Sequence, residues 1–232
     1  MSALTQRNIG ILKIIVEEYL ETGEVLGSKL LLQKYNLGVS PATVRGDMAK
    51  LEALELVYQP YNSAGRLPTS KGLRAFVNYL MQTSPDYFLN ESNLNIGEEK
   101  IENLSDFVHK VSFELAKNTS EIAFFIIPEK NIVTYSGTGV FLENNHKRLG
   151  DSIFSIIKML EDKFSFIKFI KSFPTNHGIN LFIGEENILP FLKDYTIILK
   201  QVNINGKIGY IGLIGSLKMN YSFNISAVRG II

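Results

Sequence analysis

The run Asn36–Leu37–Gly38–Val39–Ser40–Pro41 leaves the chain few choices. Asn36 and Gly38 tolerate the left-handed angles that end a helix, while Ser40 before Pro41 is a helix start, with an N-cap hydroxyl and a first-turn proline. Two helices must therefore meet across a tight turn. Upstream, a short helix beginning near Leu26–Gly27–Ser28 runs through Leu30, Leu31 and Lys34; downstream, Val44, Met48 and Leu51 share one face and leave Thr43, Arg45, Gly46 and Lys50 on the other. A longer helix precedes both over residues 5–21, with Ile9, Leu12, Val16 and Leu20 as its apolar stripe, Thr5 as its cap and Gly23 as its stop. This is the pattern of a helix-turn-helix, a unit that leads with the first residues of its last helix into the DNA major groove.

The adjoining segment strengthens that reading. Residues 57–69 form an extended arm, a small-residue turn at Ser63–Ala64–Gly65 and a returning arm, which predicts a hairpin or wing. Helical spacing resumes at 70–81 with Leu73, Phe76, Val77 and Leu80, and Thr83–Ser84–Pro85 breaks it. The expected organisation is a winged helix-turn-helix DNA-binding domain at 1–83, a linker rich in Asn, Ser and acids at 84–100, and an α+β domain with a mainly antiparallel sheet at 101–232. In the last, a helix from Ile101 leads into an apolar strand ending at Ile127, and a second strand covers 132–135. Residues 147–171 are helical in period, as one long helix or two short ones, and strands are expected at 179–183, 196–202 and 207–214, the last two joined by a turn at Asn203–Ile204–Asn205–Gly206.

Charge limits how such a chain could hold DNA. The 24 basic residues barely exceed the 23 acidic ones, and residues 1–83 hold nine basic against seven acidic, so bulk attraction is weak. Contacts must come from placement, and useful affinity requires two readers acting together, which predicts a homodimer. Candidate contacts are Ser40, Pro41, Thr43 and Arg45 at the start of the reading helix, Lys50 further along it, and Ser63, Gly65, Arg66 and Thr69 in the wing. Arginine can donate two hydrogen bonds to guanine O6 and N7, hydroxyls and first-turn N–H groups suit phosphate, and Arg66 beside small residues reads as a lone cation free to approach phosphate or a narrow minor groove.

Other chemistries are poorly supplied. No cysteine is present, and His109, His146 and His177 have no helical metal spacing, so no metal, cofactor-binding or catalytic site is expected and the chain is not expected to be an enzyme. Glu185–Glu186 lack a partner base, Ser136–Gly137–Thr138–Gly139 lacks the lysine of a phosphate loop and reads as an ordinary turn, and Phe164, Phe166, Phe169 and Phe173 read as core before interface. The longest apolar run, 122–127, is far too short to span a bilayer, and the first residues lack a signal-peptide core, which places the chain in the cytoplasm with no membrane partner. A ligand-sensing or protein-binding winged-helix regulator is the alternative function.

The sequence also resembles the heat-inducible transcription repressors of the HrcA family. The resemblance rests on Leu4–Thr5–Gln6–Arg7, Ile15–Val16–Glu17–Glu18–Tyr19 with Thr22–Gly23–Glu24, Gly27–Ser28, Leu37–Gly38–Val39–Ser40, Ala42–Thr43–Val44–Arg45 with Asp47–Met48, and Ser63–Ala64–Gly65–Arg66 with Pro68–Thr69. A weaker match lies in Ile183–Gly184–Glu185–Glu186–Asn187 and around Gly209, Gly215, Met219 and Tyr221. It implies a homodimer that binds an inverted-repeat, double-stranded operator and represses chaperone genes until heat stress, with the GroE chaperonin helping to maintain active repressor. It also implies that the second domain is GAF-like, with regulatory and dimerising roles. Three departures stand out: Gly46 replaces the family's usual Asn, Ser216–Leu217–Lys218–Met219–Asn220–Tyr221 replaces Pro-Thr-Arg-Met-Asp-Tyr, and the family's inserted dimerising segment is missing between Ile127 and Tyr135.

Overall fold

Local signals decide where the first helices begin and end. In the computed structural model, which describes residues 4–83, 103–145, 151–176 and 178–231, α1 (Gln6–Thr22) starts at Thr5, whose hydroxyl accepts from the Asn8 backbone N–H at 3.2 Å while its own N–H donates to Asn8 Oδ1 at 3.1 Å. Gly23 ends the helix in the left-handed region at φ 77°. The two short successors, α2 (Ser28–Lys34) and α3 (Pro41–Ala53), are separated by the turn that contains Gly38 at φ 64°. Strands β1 (Val57–Tyr58) and β2 (Leu67–Pro68) pair antiparallel, and α4 (Ser70–Thr83) closes the unit.

The apolar stripes meet in one core. Ile11, Ile15 and Val16 from α1, Leu31 from α2, Val44 and Leu51 from α3, and Leu73 and Val77 from α4 are essentially solvent-free. At about 1.5–3 kcal/mol for each fully buried aliphatic side chain, this core orders helices too short to persist alone.

The chain divides into two compact units, 1–83 and 84–232. The expected linker at 84–100 lies outside the described residues, as do His146 and His177. The second unit is α+β, built on a five-stranded antiparallel sheet in the order β4–β3–β7–β6–β5. Its elements are α5 (Leu104–Thr119), β3 (Ile122–Ile127), β4 (Ile132–Ser136), α6 (Thr138–Asn145), α7 (Asp151–Glu161), α8 (Lys163–Ser172), β5 (Ile179–Ile183), β6 (Tyr195–Ile204), β7 (Lys207–Ser216) and α9 (Tyr221–Arg229). Between β3 and β4 a single 3-10 turn, Pro128–Lys130, closes a tight hairpin.

Strand alternation assigns the layers. Ile122, Phe124 and Ile126 of β3 join Ile197, Leu199 and Ile214 and the inner sides of α6, α7 and α8 in one large core. The opposite face of the sheet is covered by α5 and α9: Phe107 meets Phe125 edge-on with centroids 6.4 Å apart, and the Tyr221 hydroxyl reaches Thr196 Oγ1 at 2.9 Å. With both faces covered, every residue of β3 is buried. Gly212 of β7 makes room for this packing, since a Cβ there would collide with the Ile198 carbonyl and the Phe124 ring.

Several expectations need correcting. Ser136–Gly137–Thr138–Gly139 does not end in an ordinary turn: Gly137, at φ 90° and pressed against the Glu121 carbonyl, bends the chain into α6. Of the two expected arrangements of the helical stretch before residue 172, the described residues form two short helices, because Asp162 caps a new one by accepting from the Ser165 N–H at 3.1 Å. Of the four phenylalanines, Phe166, Phe169 and Phe173 are buried, whereas Phe164 is 79% exposed. The terminal α9 was not anticipated; Asn220 caps it, and Lys200 Nζ donates to the Arg229 and Ile231 carbonyls at its far end.

One buried carboxyl gives the second unit a pH dependence. Glu121 precedes β3 at 8% exposure, and burial pushes it up to about 8 despite a Ser216 backbone N–H that favours its charged form. An unfolded glutamate releases its proton near pH ~4.3, so between there and about 8 the unfolded chain gives up a proton that the folded chain keeps. Stability contributed by this group is therefore highest at acid pH and falls until about 8. Glu121→Gln is expected to match the wild-type melting temperature near pH 4 and exceed it increasingly toward pH 8, as read by calorimetry. Parallel losses in the two proteins would show that the carboxyl is ionised in the fold.

Candidate nucleic-acid interface

The exposed side of α3 exists because its other side is pinned. Asp47, at 8% exposure, turns inward toward α1, where Arg7 Nε donates to it at 2.6 Å, Arg7 Nη2 at 3.3 Å and the buried Asn8 Nδ2 at 2.8 Å. The Arg7 hydrogen bond holds the Asp47 carboxyl below its ordinary value, so its stabilisation is present above pH ~3.9 and lost as pH falls through the lowered value. With Val44, Asp47, Met48 and Leu51 facing in, Arg45, Gly46, Ala49 and Lys50 face out. At the helix start, Ser40 Oγ accepts from the Thr43 N–H at 3.1 Å and lies 2.9 Å from Thr43 Oγ1, with Pro41 between them in the first turn. All of these lie on the solvent side or its margin.

A groove of about 390 Å³ runs between α3, the start of α2 and the β1–β2 ribbon. It brings together Arg45, Ser63, Gly65 and Arg66 of the sequence-derived set, and adds Ser28, Lys29 and Gln59. Sequence reasoning missed these three because they converge only through the fold; the one local signal was the polar Ser28–Lys29 pair opening a helix next to the turn. Ser63 lies at the exposed ribbon tip with φ 65°, in a turn closed by Ala64 N–H to the Tyr61 carbonyl at 3.0 Å and braced by Gln59 Nε2 to the Ala64 carbonyl at 3.0 Å.

Two candidates are committed elsewhere. Thr69 is not among the groove's lining residues; its hydroxyl donates to the Glu55 carbonyl at 2.6 Å and accepts from the Gly72 N–H at 3.0 Å. Arg66 is not the lone cation expected from sequence. Its Nη2 lies 2.8 Å from Glu52 Oε2 of α3, and its side chain is only 16% exposed.

Ion pairing sorts the remaining charges. Five of the seven acidic side chains in residues 1–83 are engaged: Asp47 with Arg7, Glu17 with Lys13, Glu18 with Lys34, Glu52 with Arg66 and Glu55 with Lys71. Exposed Lys29, Arg45 and Lys50 have no carboxylate at ion-pair distance among the described residues, and the first two line the groove. The arrangement can hold a polyanion: donors and fixed positive charge in a concave surface, flanked by a helix start with hydroxyls.

The chain is similar to several known proteins. A family model described as the HrcA protein C terminal domain matches residues 56–225. A heat-inducible transcription repressor HrcA of Clostridioides difficile is 40% identical over 121 residues, covering 50% of this chain and 35% of that protein. One from Thermomicrobium roseum is 53% identical over 81 residues, covering 35% and 23%, and one from Staphylococcus saprophyticus is 28% identical over 183 residues, covering 79% and 51%. The matches thus span about half or less of each relative's own length. A solved structure described as a hypothetical protein at 2.2 Å resolution superposes with a TM-score of 0.80 at 20% identity, covering 97% of this chain and 95% of its own, which establishes the fold.

The pinned inner face generates two expectations. Asp47→Ala leaves the buried Asn8 amide without its acceptor and should destabilise the first unit by about 1–3 kcal/mol in chemical denaturation. Gly46→Ala should stabilise it by up to about 1 kcal/mol, since a Cβ there meets nothing within 4 Å. A neutral Asp47→Ala would show that the pair contributes nothing to holding α3.

Proposed function

The chain belongs to the HrcA family, and on that premise we propose that it is a sequence-specific, DNA-binding transcriptional repressor of heat-shock genes. In this reading residues 1–83 are a winged helix-turn-helix. Its α3 enters the major groove, with Ser40, Pro41 and Thr43 at the phosphate margin and Arg45 on a base edge, while Lys50 meets the backbone further along. Ser63 at the ribbon tip approaches the adjacent backbone, and Gly65, Arg66 and Thr69 belong to the same wing. Lys29 and Ser28 join as a phosphate clamp on the opposite wall of the groove. The observation that supports this reading most is that two of the exposed cations with no carboxylate at ion-pair distance among the described residues, Lys29 and Arg45, line one groove beside the exposed start of α3.

The second unit serves in this reading as a GAF-like regulatory and pairing domain, supported by its antiparallel sheet covered by helices on both faces. Pairing is supported by the weak field of the reader: nine basic against seven acidic residues call for two copies acting together, and the family resemblance implies an inverted repeat as their target. Release on heat stress is loss of that pairing, with the GroE chaperonin as the partner that replenishes active protein. The site of action is the cytoplasm, in keeping with the finding that no described helix is long and apolar enough to cross a membrane.

Selection from random duplexes should return an inverted repeat. On it, Arg45→Ala should weaken binding about 5- to 150-fold, or ~1–3 kcal/mol, with relaxed preference at one base pair per half-site. Lys29→Ala should weaken all duplexes alike and reduce the salt slope of log K by about 0.9 per reader. Equal affinity for selected and scrambled DNA would overturn the proposal. On heating, operator binding and dimer mass by light scattering should disappear together; tight binding by monomer would contradict the role of pairing.

A further inference from the structure

Arg66 is the sole cation of the ribbon, and its surroundings are those of an anchor. Its backbone forms an isolated antiparallel bridge with Leu26: the Leu26 N–H donates to the Arg66 carbonyl at 3.1 Å, and the Arg66 N–H donates to the Leu26 carbonyl at 3.0 Å. Leu26 is fully buried in the connection between α1 and α2. The close approach depends on Gly65, where a Cβ would lie 2.5 Å from the Leu26 carbonyl oxygen. From the same residue, Nη2 reaches Glu52 on α3 at 2.8 Å and Nη1 reaches the Ala64 carbonyl at 3.4 Å, while Nε is enclosed without an acceptor. One residue thus ties the ribbon to the α1–α2 connection through its backbone and to α3 through its side chain.

We infer that Arg66 and Glu52 form a lock that sets the distance between the reading helix and the wing, and that Arg66 acts on DNA as a positioning residue and not as a phosphate contact. The inference rests on the DNA-binding reading above. Its physical basis is that a guanidinium only 16% exposed would have to leave its enclosed place and break its ion pair with the more exposed Glu52 before it could reach DNA. Held in place, it fixes the width of the groove that Arg45, Lys29 and Ser63 line, so the wing is ordered before DNA arrives and less ordering is required on binding. Glu52 is the informative partner. It is an acid on the helix that faces DNA, so its removal should favour binding by simple electrostatics; a lock makes the opposite prediction.

The test uses the 232-residue chain with Glu52→Gln, Arg66→Gln, Arg66→Lys and the double variant Glu52→Gln/Arg66→Gln, each checked for folding by circular dichroism. Without DNA, hydrogen exchange at the Leu26 and Arg66 amides should accelerate at least tenfold in each single variant; unchanged protection would overturn the lock. On the selected duplex, Glu52→Gln should weaken binding about tenfold, the double variant should be no weaker than either single one, Arg66→Lys should not restore affinity, and Arg66→Gln should leave the salt slope unchanged. Glu52→Gln binding as well as or better than wild type, or a salt slope reduced by about 0.9 in Arg66→Gln, would assign Arg66 to phosphate and overturn the inference. If exchange accelerates as expected but the wild type shows no duplex preference, the lock stands as a device of the fold and the DNA reading beneath it fails.

Discussion

The carboxylate of Asp47 decides the geometry of the first unit. An acid on the inner face of a helix is costly unless it is paired, and Arg7 and Asn8 supply that pairing from α1. The rotation of α3 about its own axis is thereby fixed by a charged group as well as by Val44, Met48 and Leu51. The outward side is the complement of that choice: Arg45 and Lys50 are presented because Asp47 cannot be.

The same economy governs the charges around the groove. A unit with little net charge can still present a positive surface if its acids are consumed internally, and most of them are. The neutralised pairs link α1, α2, α3 and the ribbon, while Lys29 and Arg45, without carboxylate partners among the described residues, both line the groove. Net charge alone would not show this, because it weights a cation inside a lock equally with one open to solvent.

Much of the architecture was legible in the sequence where the signal is local. Thr5, Gly23, Gly38, Ser40 and Pro41 mark helix ends by their own backbone chemistry, and the Asn205–Gly206 turn with its flanking strands is equally direct. Two helices escaped. The sequence of α6, Thr138–Asn145, has only Phe141 buried, and it begins where Gly137 packs against a carbonyl sixteen positions earlier in the chain, a contact no window contains. α9 is recognisable only once β6 and α5 are there to receive it. The candidate site divides in the same way: the outward face of α3 could be read from period, whereas the pairing of Arg66 needed Glu52, 14 positions away, and the inclusion of Lys29 needed the groove.

The order of strands in the second unit has a bearing on how the chain is made. β3 is apolar on both faces and obtains one neighbour at once, β4, across a short turn. Its other neighbour is β7, and Ile126 must wait for Tyr210, 84 positions further along. At synthesis rates of about 5–20 residues per second, that leaves an interval of roughly 4–17 s in which six apolar residues and a free strand edge are displayed on the growing chain. A strand whose every residue is buried in the fold is therefore, during synthesis, an exposed apolar surface. The yield of folded protein should follow whatever shields that edge until β7 emerges.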